Sequence, residues 1–179
     1  MDLPQFKYHP DPIGTGSVEA SETPCLSCNK IRGYVYTGPA YSEKFHYLSG
    51  CLCPWCIADG SAAKQFGATF TDSATIDIPD NVREELAQRT PGFDAWQQEQ
   101  WLDCCGDAAA FLGLAGKSEL KSELKDASEA VRTCLEEDYD LSGDDLEEFM
   151  NGLSKKDQPT AYIFRCLHCK THLAYVDQT

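Results

Sequence analysis

Two cysteine pairs decide the fold of this chain: Pro24-Cys25-Leu26-Ser27-Cys28 and, after 24 intervening residues, Cys53-Pro54-Trp55-Cys56. In each pair two residues separate the cysteines, so both sulfurs of one tight loop can point the same way. Tetrahedral zinc needs that arrangement, with four thiolates at about 2.3 Å from the metal. The separation of the pairs is close to that of zinc modules. The sequence therefore predicts a zinc site formed by Cys25, Cys28, Cys53 and Cys56.

The residues around the pairs predict the elements that carry them. Residues 32–39 alternate Tyr34 and Tyr36 on one face and end in a Gly-Pro turn signal, which predicts one strand of a β-hairpin. After Cys56 an alanine-rich stretch runs to Gly67 and predicts a helix. Loop, hairpin and helix together predict a treble-clef-like zinc module. A redox dithiol is the alternative, and two pairs at metal spacing favour zinc over it.

The N-terminus lacks the basic region and apolar run of a secretory signal, so we predict a cytoplasmic protein. In that reducing compartment paired cysteines bind metal more often than they form disulfides, although the chain holds ten cysteines. No apolar stretch approaches the ~20 residues that a membrane helix needs. We therefore expect no membrane partner.

The charge of the chain limits its partners. The sequence holds 29 acidic residues against 15 basic ones, for a formal net charge of −14, and each zinc with four thiolates adds further negative charge. A strongly negative surface repels phosphate backbones, which removes the electrostatic attraction behind non-specific nucleic-acid binding. We therefore predict a basic protein partner and no nucleic acid.

A second metal site is predicted near the C-terminus. Two apolar stretches, residues 161–165 and 173–176, flank Cys166-Leu167-His168-Cys169, and strand, cysteine loop and strand form a zinc knuckle. One knuckle supplies only two ligands, and the adjacent Cys104 and Cys105 are the unassigned pair. We assign the second zinc to Cys104, Cys105, Cys166 and Cys169, with His168 or His172 as a substitute for one of them.

The middle of the chain has helical patterns. Asp80 or Asn81 can cap a helix that reaches Arg89, apolar residues recur at helical spacing from Leu120 to Cys134, and another helix starts near Ser142. We predict an α+β fold with a helical middle, in a single zinc-stabilised domain over residues 1–179. Its parts are an N-terminal zinc module (1–70), a helical segment (80–153) and a C-terminal knuckle hairpin (160–179) packed back on the rest.

An acidic run in this helical segment contains no basic residue. Such a run is usually a solvated face, and its spacing does not match the oxygen-ligand loop of an EF-hand. The alternative is a surface that binds a basic partner. Its eight carboxylates are Glu136, Glu137, Asp138, Asp140, Asp144, Asp145, Glu147 and Glu148.

Three other residues have side chains that could take part in catalysis. His9 lies in a Pro- and Gly-rich arm that we expect to be extended, and Asp59 and Ser61 follow the second cysteine pair. No nucleophile and base stand at a recognisable spacing, and a zinc with four thiolates has no open position for water. We therefore predict no catalytic residue.

Several of these motifs resemble the CbrC family of bacterial proteins, which is linked with tolerance to colicins. They are residues 6–12, the Cys25 pair, Arg32-Gly33-Tyr34, the closing cysteine loop and, most specifically, Cys-Pro-Trp-Cys-Ile-Ala-Asp-Gly-Ser-Ala at residues 53–62. The resemblance covers nearly the whole chain. Where this chain has Cys104, many members of the family carry His, and either residue ligates zinc. The resemblance implies tolerance or immunity toward a toxin.

Three functions follow from these observations. The first is a zinc-binding acidic immunity protein that binds and neutralises a bacterial toxin, such as a basic nuclease, through the acidic run. The second is a zinc-stabilised cytoplasmic adaptor in stress or envelope physiology. A metal-dependent enzyme is the least favoured.

Overall fold

A computed structural model describes residues 2–178 of the chain. Its N-terminal part contains β1 (Val18–Ser21), β2 (Gly33–Tyr36), β3 (Tyr41–Ser42), α1 (Pro54–Ala58), α2 (Ser61–Phe66) and β4 (Ala68–Thr69). Strands β1 and β2 form one antiparallel pair, and β3 and β4 form another. Helix α1 begins directly after Cys53 and contains Cys56, and α2 follows it, so the single helix that the sequence predicts after Cys56 is present as two short helices.

The predicted strand between the cysteine pairs is present as β2, and the structure supplies the partner that the sequence pattern did not name. Strand β2 pairs along its whole length with β1, which belongs to the N-terminal arm. A single bridge from Tyr36 to Leu52 connects it to the stretch before the second cysteine pair. An alternating pattern shows that a strand exists, while its partner is set by tertiary contacts that the pattern does not contain.

The remaining elements form a mixed α/β unit. They are α3 (Asp80–Arg89), β5 (Asp103–Cys104), β6 (Asp107–Ala108), β7 (Ala110–Ala115), α4 (Ser128–Tyr139), α5 (Gly143–Gly152), β8 (Thr160–Arg165) and β9 (His172–Asp177), with two 3₁₀ turns at Glu119–Lys121 and Lys125–Ala127. Strands β7, β8 and β9 form an antiparallel sheet in that order. The C-terminal knuckle hairpin is therefore present as β8 and β9.

The helical description of residues 80–153 needs two corrections. Strands β5, β6 and β7 lie inside this segment, and the helix predicted from Leu120 begins only at Ser128. The stretch that forms β7 is an apolar run of alanine, leucine and phenylalanine, whose composition suits a buried helix as well as a strand. Pairing with β8 decides between the two.

The three-stranded sheet has an apolar core on each face. One face carries aromatic side chains, with the rings of Phe93 and Phe111 stacked 3.8 Å apart and Trp101 edge-on to Phe164. On the other face α4 and α5 bury Val131, Leu135, Leu146 and Met150 against Ile163 and Val176. Strand β8 lies between these cores, with Ala161 to Phe164 fully buried.

Loop 90–102 joins this unit to the N-terminal strands through polar groups. The Tyr36 hydroxyl donates to the carbonyl oxygen of Pro39 at 2.5 Å and accepts from the Gly92 N–H at 3.0 Å. Nearby, Glu99 is only 5% exposed and accepts a 2.5 Å hydrogen bond from the Asp72 N–H. Burial raises the pKa of Glu99 to about 8, so its carboxyl is largely protonated at neutral pH.

Within residues 2–178 every helix is too short or too polar to cross a membrane.

Candidate metal centres

The first cysteine cluster brings together Cys25, Cys28, Cys53 and Cys56, whose sulfurs all lie within 4.8 Å of one another. The sulfurs of Cys28 and Cys53 are 3.9 Å apart. Four thiolates around one tetrahedral ion with bonds of 2.3 Å lie about 3.8 Å apart, so the observed spacing fits a metal. Three of the four side chains are buried, Cys28 being the partly exposed one.

Local backbone geometry explains how this cluster forms. The Cys25 N–H donates to the carbonyl of Lys30, the Asn29 N–H donates back to the carbonyl of Cys25, and Asn29 has a φ of 56°. This closed loop turns both of its cysteines inward. Cys53 stands directly before α1, whose first turn holds Cys56, and the Cys53 N–H donates to Cys25 Sγ at 3.2 Å.

The second cluster uses the same kind of loop. The Cys166 N–H donates to the carbonyl of Thr171, five residues on as in the first loop, and Lys170 after the second cysteine has a φ of 66°. Asparagine is enriched at positive φ and lysine is not, so only the first loop carries a local sequence signal for its turn. Both loops have the geometry that directs two sulfurs to one point.

The adjacent cysteines complete this cluster from a tight hairpin. Strands β5 and β6 are joined by Cys105 and Gly106, whose φ angles are 56° and 72°. Two successive positive φ angles match a type I′ turn, in which glycine is favoured at the second position. The sulfur of Cys104 lies 3.6 Å from that of Cys105 and 3.7 Å from that of Cys169. All four cluster sulfurs, Cys166 included, lie within 4.8 Å of one another.

The second cluster is more open to solvent than the first. Cys105 and Cys169 are exposed, Cys104 is partly exposed, and Cys166 is buried. The hydroxyl of Thr171, 3.4 Å from Cys169 Sγ, lowers the pKa of that thiol to about 6. Metal binding requires deprotonated thiols, so Cys169 is ready to bind a cation at neutral pH.

A polar network that the sequence did not reveal supports the second cluster. The carboxylate of Asp107 accepts from Lys7 Nζ at 3.0 Å and from the Tyr8 hydroxyl at 2.7 Å, and it contacts His168 Nε2 at 3.0 Å. Although burial opposes ionisation, these partners lower the pKa of Asp107. The network ties the N-terminal arm to the Cys166–Cys169 loop of the second cluster.

The alternative ligands lie outside both clusters. His168 contacts Asp107, and within residues 2–178 His172 belongs to neither group of four. Cys134, on α4, is 7% exposed and lies inside the core.

The three residues considered for catalysis have structural contacts. His9 is fully buried, with Nδ1 2.8 Å from the Pro91 carbonyl oxygen and Nε2 2.7 Å from the Thr15 hydroxyl. Burial lowers the pKa of His9 to about 4, so the ring is neutral. Asp59 accepts a 2.9 Å hydrogen bond from the N–H of Ser61, the first residue of α2.

The predicted acidic surface lies on α4, α5 and the turn between them. Glu147 forms an ion pair with Arg132 at 2.6 Å, and Asp138 accepts a 3.4 Å hydrogen bond from Cys134. Within residues 2–178 no ion pair involves any other member of the run. All eight carboxylates are exposed: Glu136, Glu137, Asp138, Asp140, Asp144, Asp145, Glu147 and Glu148.

Comparison with known proteins gives one consistent family. A family model described as "Uncharacterised protein family (UPF0167)" matches residues 3–178. UPF0167 proteins of Mycobacterium bovis and Mycobacterium tuberculosis are each 54% identical over 178 residues, covering 98% of this chain and 93% of theirs. A UPF0167 protein of Pseudomonas aeruginosa is 44% identical over 171 residues, covering 93% of this chain and 92% of its own. No solved structure gives a significant match.

These matches correct the family assignment made from the sequence motifs. The assignment to the CbrC family was wrong, because both the family model and the curated relatives carry the UPF0167 name. The toxin-tolerance role that the resemblance implied loses that support. The chain belongs to the UPF0167 family.

Proposed function

We propose that the protein binds two zinc ions that hold its fold together. The donor sets support zinc, because four thiolates at tetrahedral spacing suit zinc or iron and not calcium or magnesium. We further propose that the first site is treble-clef-like, since a cysteine loop supplies two of its ligands and the start of α1 supplies the other two. Both ions join segments that are distant in the sequence, so their loss should unfold the chain.

We propose a role in binding rather than catalysis. A zinc ion with four protein thiolates has no open position at which to activate water. The neutral ring of His9 and the carboxylate of Asp59 are both engaged in structural hydrogen bonds. The chemistry of the described residues therefore favours a protein that acts through its surface.

The partner that we propose is a protein with a basic surface. The observation that carries this proposal is the row of eight exposed carboxylates on α4, α5 and the turn between them, of which only Glu147 forms an ion pair among residues 2–178. In a chain of net charge −14 such a surface attracts a basic protein and repels nucleic acid. A basic nuclease-type toxin has this chemistry, and so does a basic partner of a cytoplasmic adaptor.

Native purification tests the zinc and the partner together. We expect about two zinc ions per chain by elemental analysis and a co-purifying basic protein that elutes with increasing salt. Reversing Glu136 and Glu148 to lysine should slow association about tenfold at low salt, because steering depends on local charge. The control variant reverses the exposed Glu22 and Glu84 to lysine. It changes the net charge by the same amount but at positions away from this surface.

Equal effects of the two double variants would contradict the proposed surface, and a metal content near zero would contradict the zinc sites. The identity of the partner separates the two biological roles. If it is a toxin, co-expression of this chain should restore growth of a strain that makes the toxin, and the Glu136→Lys, Glu148→Lys variant should restore less. A stable cellular partner that is not toxic would support the adaptor.

A further inference from the structure

A groove of about 510 Å³ runs between α4 and β9, beside the second cysteine cluster. Its floor contains apolar atoms of Leu102, Ala130, Leu173 and Ala174, and its end is formed by Thr171 and His172. Thr171 accepts the hydrogen bond that closes the Cys166 loop, so the metal site fixes one end of the groove.

Strand β9 borders the groove with an open edge. It is the outermost strand of its sheet, and in the antiparallel register Ala161 faces Val176, Ile163 faces Ala174, and Arg165 faces His172. In an antiparallel ladder, hydrogen-bonded pairs alternate with pairs that share no hydrogen bond. Because the Cys166 N–H donates to the carbonyl of Thr171, these two residues form a hydrogen-bonded pair, and the three pairs named above are of the other kind.

The backbone groups of His172, Ala174 and Val176 therefore point away from β8. At Val176 a side chain of α4 covers this edge, because the Tyr139 hydroxyl donates to its carbonyl at 2.6 Å. At Ala174 and His172 no partner for these outward groups exists within residues 2–178. Unpaired strand edges are sites at which another extended segment can add.

The wall of the groove opposite this edge is acidic. Asp126, Glu129, Glu137 and Asp138 line it at helical spacing along α4 and the turn before it, and all are exposed. Among the described lining residues His172 is the sole side chain able to carry a positive charge. A segment that lies along β9 would therefore place one row of its side chains against carboxylates.

We propose that an extended segment rich in lysine or arginine, from a partner protein, docks in this groove as a fourth strand on the free edge of β9. The N–H and carbonyl groups of Ala174 and His172 pair with its backbone, and the α4 carboxylates bind its basic side chains. This proposal rests on the proposed function, since it names the part of the basic partner that is recognised and where it binds.

A labelled, capped peptide of alternating lysine and valine is the probe, titrated into the purified full chain by fluorescence anisotropy. Ala174→Pro removes one edge N–H without removing a β8–β9 hydrogen bond, because that N–H points outward. We expect a loss of affinity of about fivefold or more from the missing bond and the added ring. Unchanged zinc content and thermal unfolding would show that the variant keeps its fold.

Charge is tested by two matched variants. Glu129→Gln with Glu137→Gln neutralises the groove wall, and Glu22→Gln with Glu84→Gln neutralises two exposed carboxylates that lie outside both the groove and the acidic run. We expect the first to weaken binding about tenfold and the second by no more than about twofold. A peptide methylated on alternate backbone nitrogens, which cannot form the edge pairing, should bind as weakly as the wild-type peptide binds to the Ala174→Pro chain.

Three results would overturn the proposal: no binding of the peptide to the wild-type chain, equal losses in the two charge variants, or full affinity of the methylated peptide. A basic protein that co-purifies with the chain but is not displaced by the peptide would refute docking on β9. That result would leave the proposed basic partner standing. Absence of any basic partner, with the peptide still bound at the edge, would instead refute the proposed function.

Discussion

The buried carboxyl of Glu99 gives a prediction about the pH dependence of stability. Its pKa rises from 4.5 to about 8 on folding because burial disfavours the ionised form. The folded state thus holds this proton more tightly than the unfolded state. The resulting contribution to stability is fully present below about pH 4.5 and is lost as the pH rises toward 8.

The magnitude follows from the size of the shift. One pKa unit corresponds to about 1.4 kcal/mol, so the whole shift is worth about 5 kcal/mol at most. The free energy of unfolding changes less steeply as the pH approaches the pKa of the folded state. Its change between about pH 6 and pH 8 is therefore about 2 kcal/mol. Glu99→Gln keeps an acceptor for the Asp72 N–H and cannot ionise, so its stability should not fall through ionisation of this side chain as the pH rises.

The assay is urea unfolding of wild type and Glu99→Gln at several pH values in that window, with zinc present. Protonation of the cysteine thiols of the two clusters acts on both proteins, so the difference between their free energies of unfolding isolates Glu99. We expect Glu99→Gln to gain about 2 kcal/mol relative to wild type across the window. Glu84→Gln, the same change on the exposed face of α3, is the control and should run parallel to wild type. Parallel profiles for wild type and Glu99→Gln would refute the argument.

Three further predictions concern the metal sites and the packing. A zinc chelator should abolish the cooperative unfolding transition seen by circular dichroism, whereas a chain that keeps it would not depend on metal. Cys105→Ser should lower the zinc content from about two ions per chain to about one, while Cys51→Ser, outside both clusters, should leave it unchanged. Gly92→Ala should destabilise by about 3 kcal/mol because its new Cβ would overlap the carbonyl oxygen of Phe70. Gly152→Ala, at the end of α5 with open space around it, should change stability by less than about 1 kcal/mol; a similar loss in both variants would contradict the packing argument.

The cysteine clusters were the part of the site most accessible from sequence. Two residues between two cysteines make a loop whose geometry is local. Cys25 with Cys28, and Cys166 with Cys169, therefore predict a metal site without any knowledge of the fold. The adjacent Cys104 and Cys105 were assigned only because the C-terminal loop lacked two ligands. Their actual basis is the turn through Cys105 and Gly106, which the sequence reading did not identify as a hairpin.

The sequence by itself determined the ligand pairs, the strands that flank the last cysteine loop and the acidity of the surface, because each depends on neighbours within a few residues. The tertiary structure decided the pairing of β1 with β2, the strand at residues 110–115 and the burial of Glu99, all of which depend on which distant segments meet. It also left the edge of β9 open beside an acidic helix. Strand partners and burial arise from contacts across the chain, and one-dimensional patterns carry no record of them.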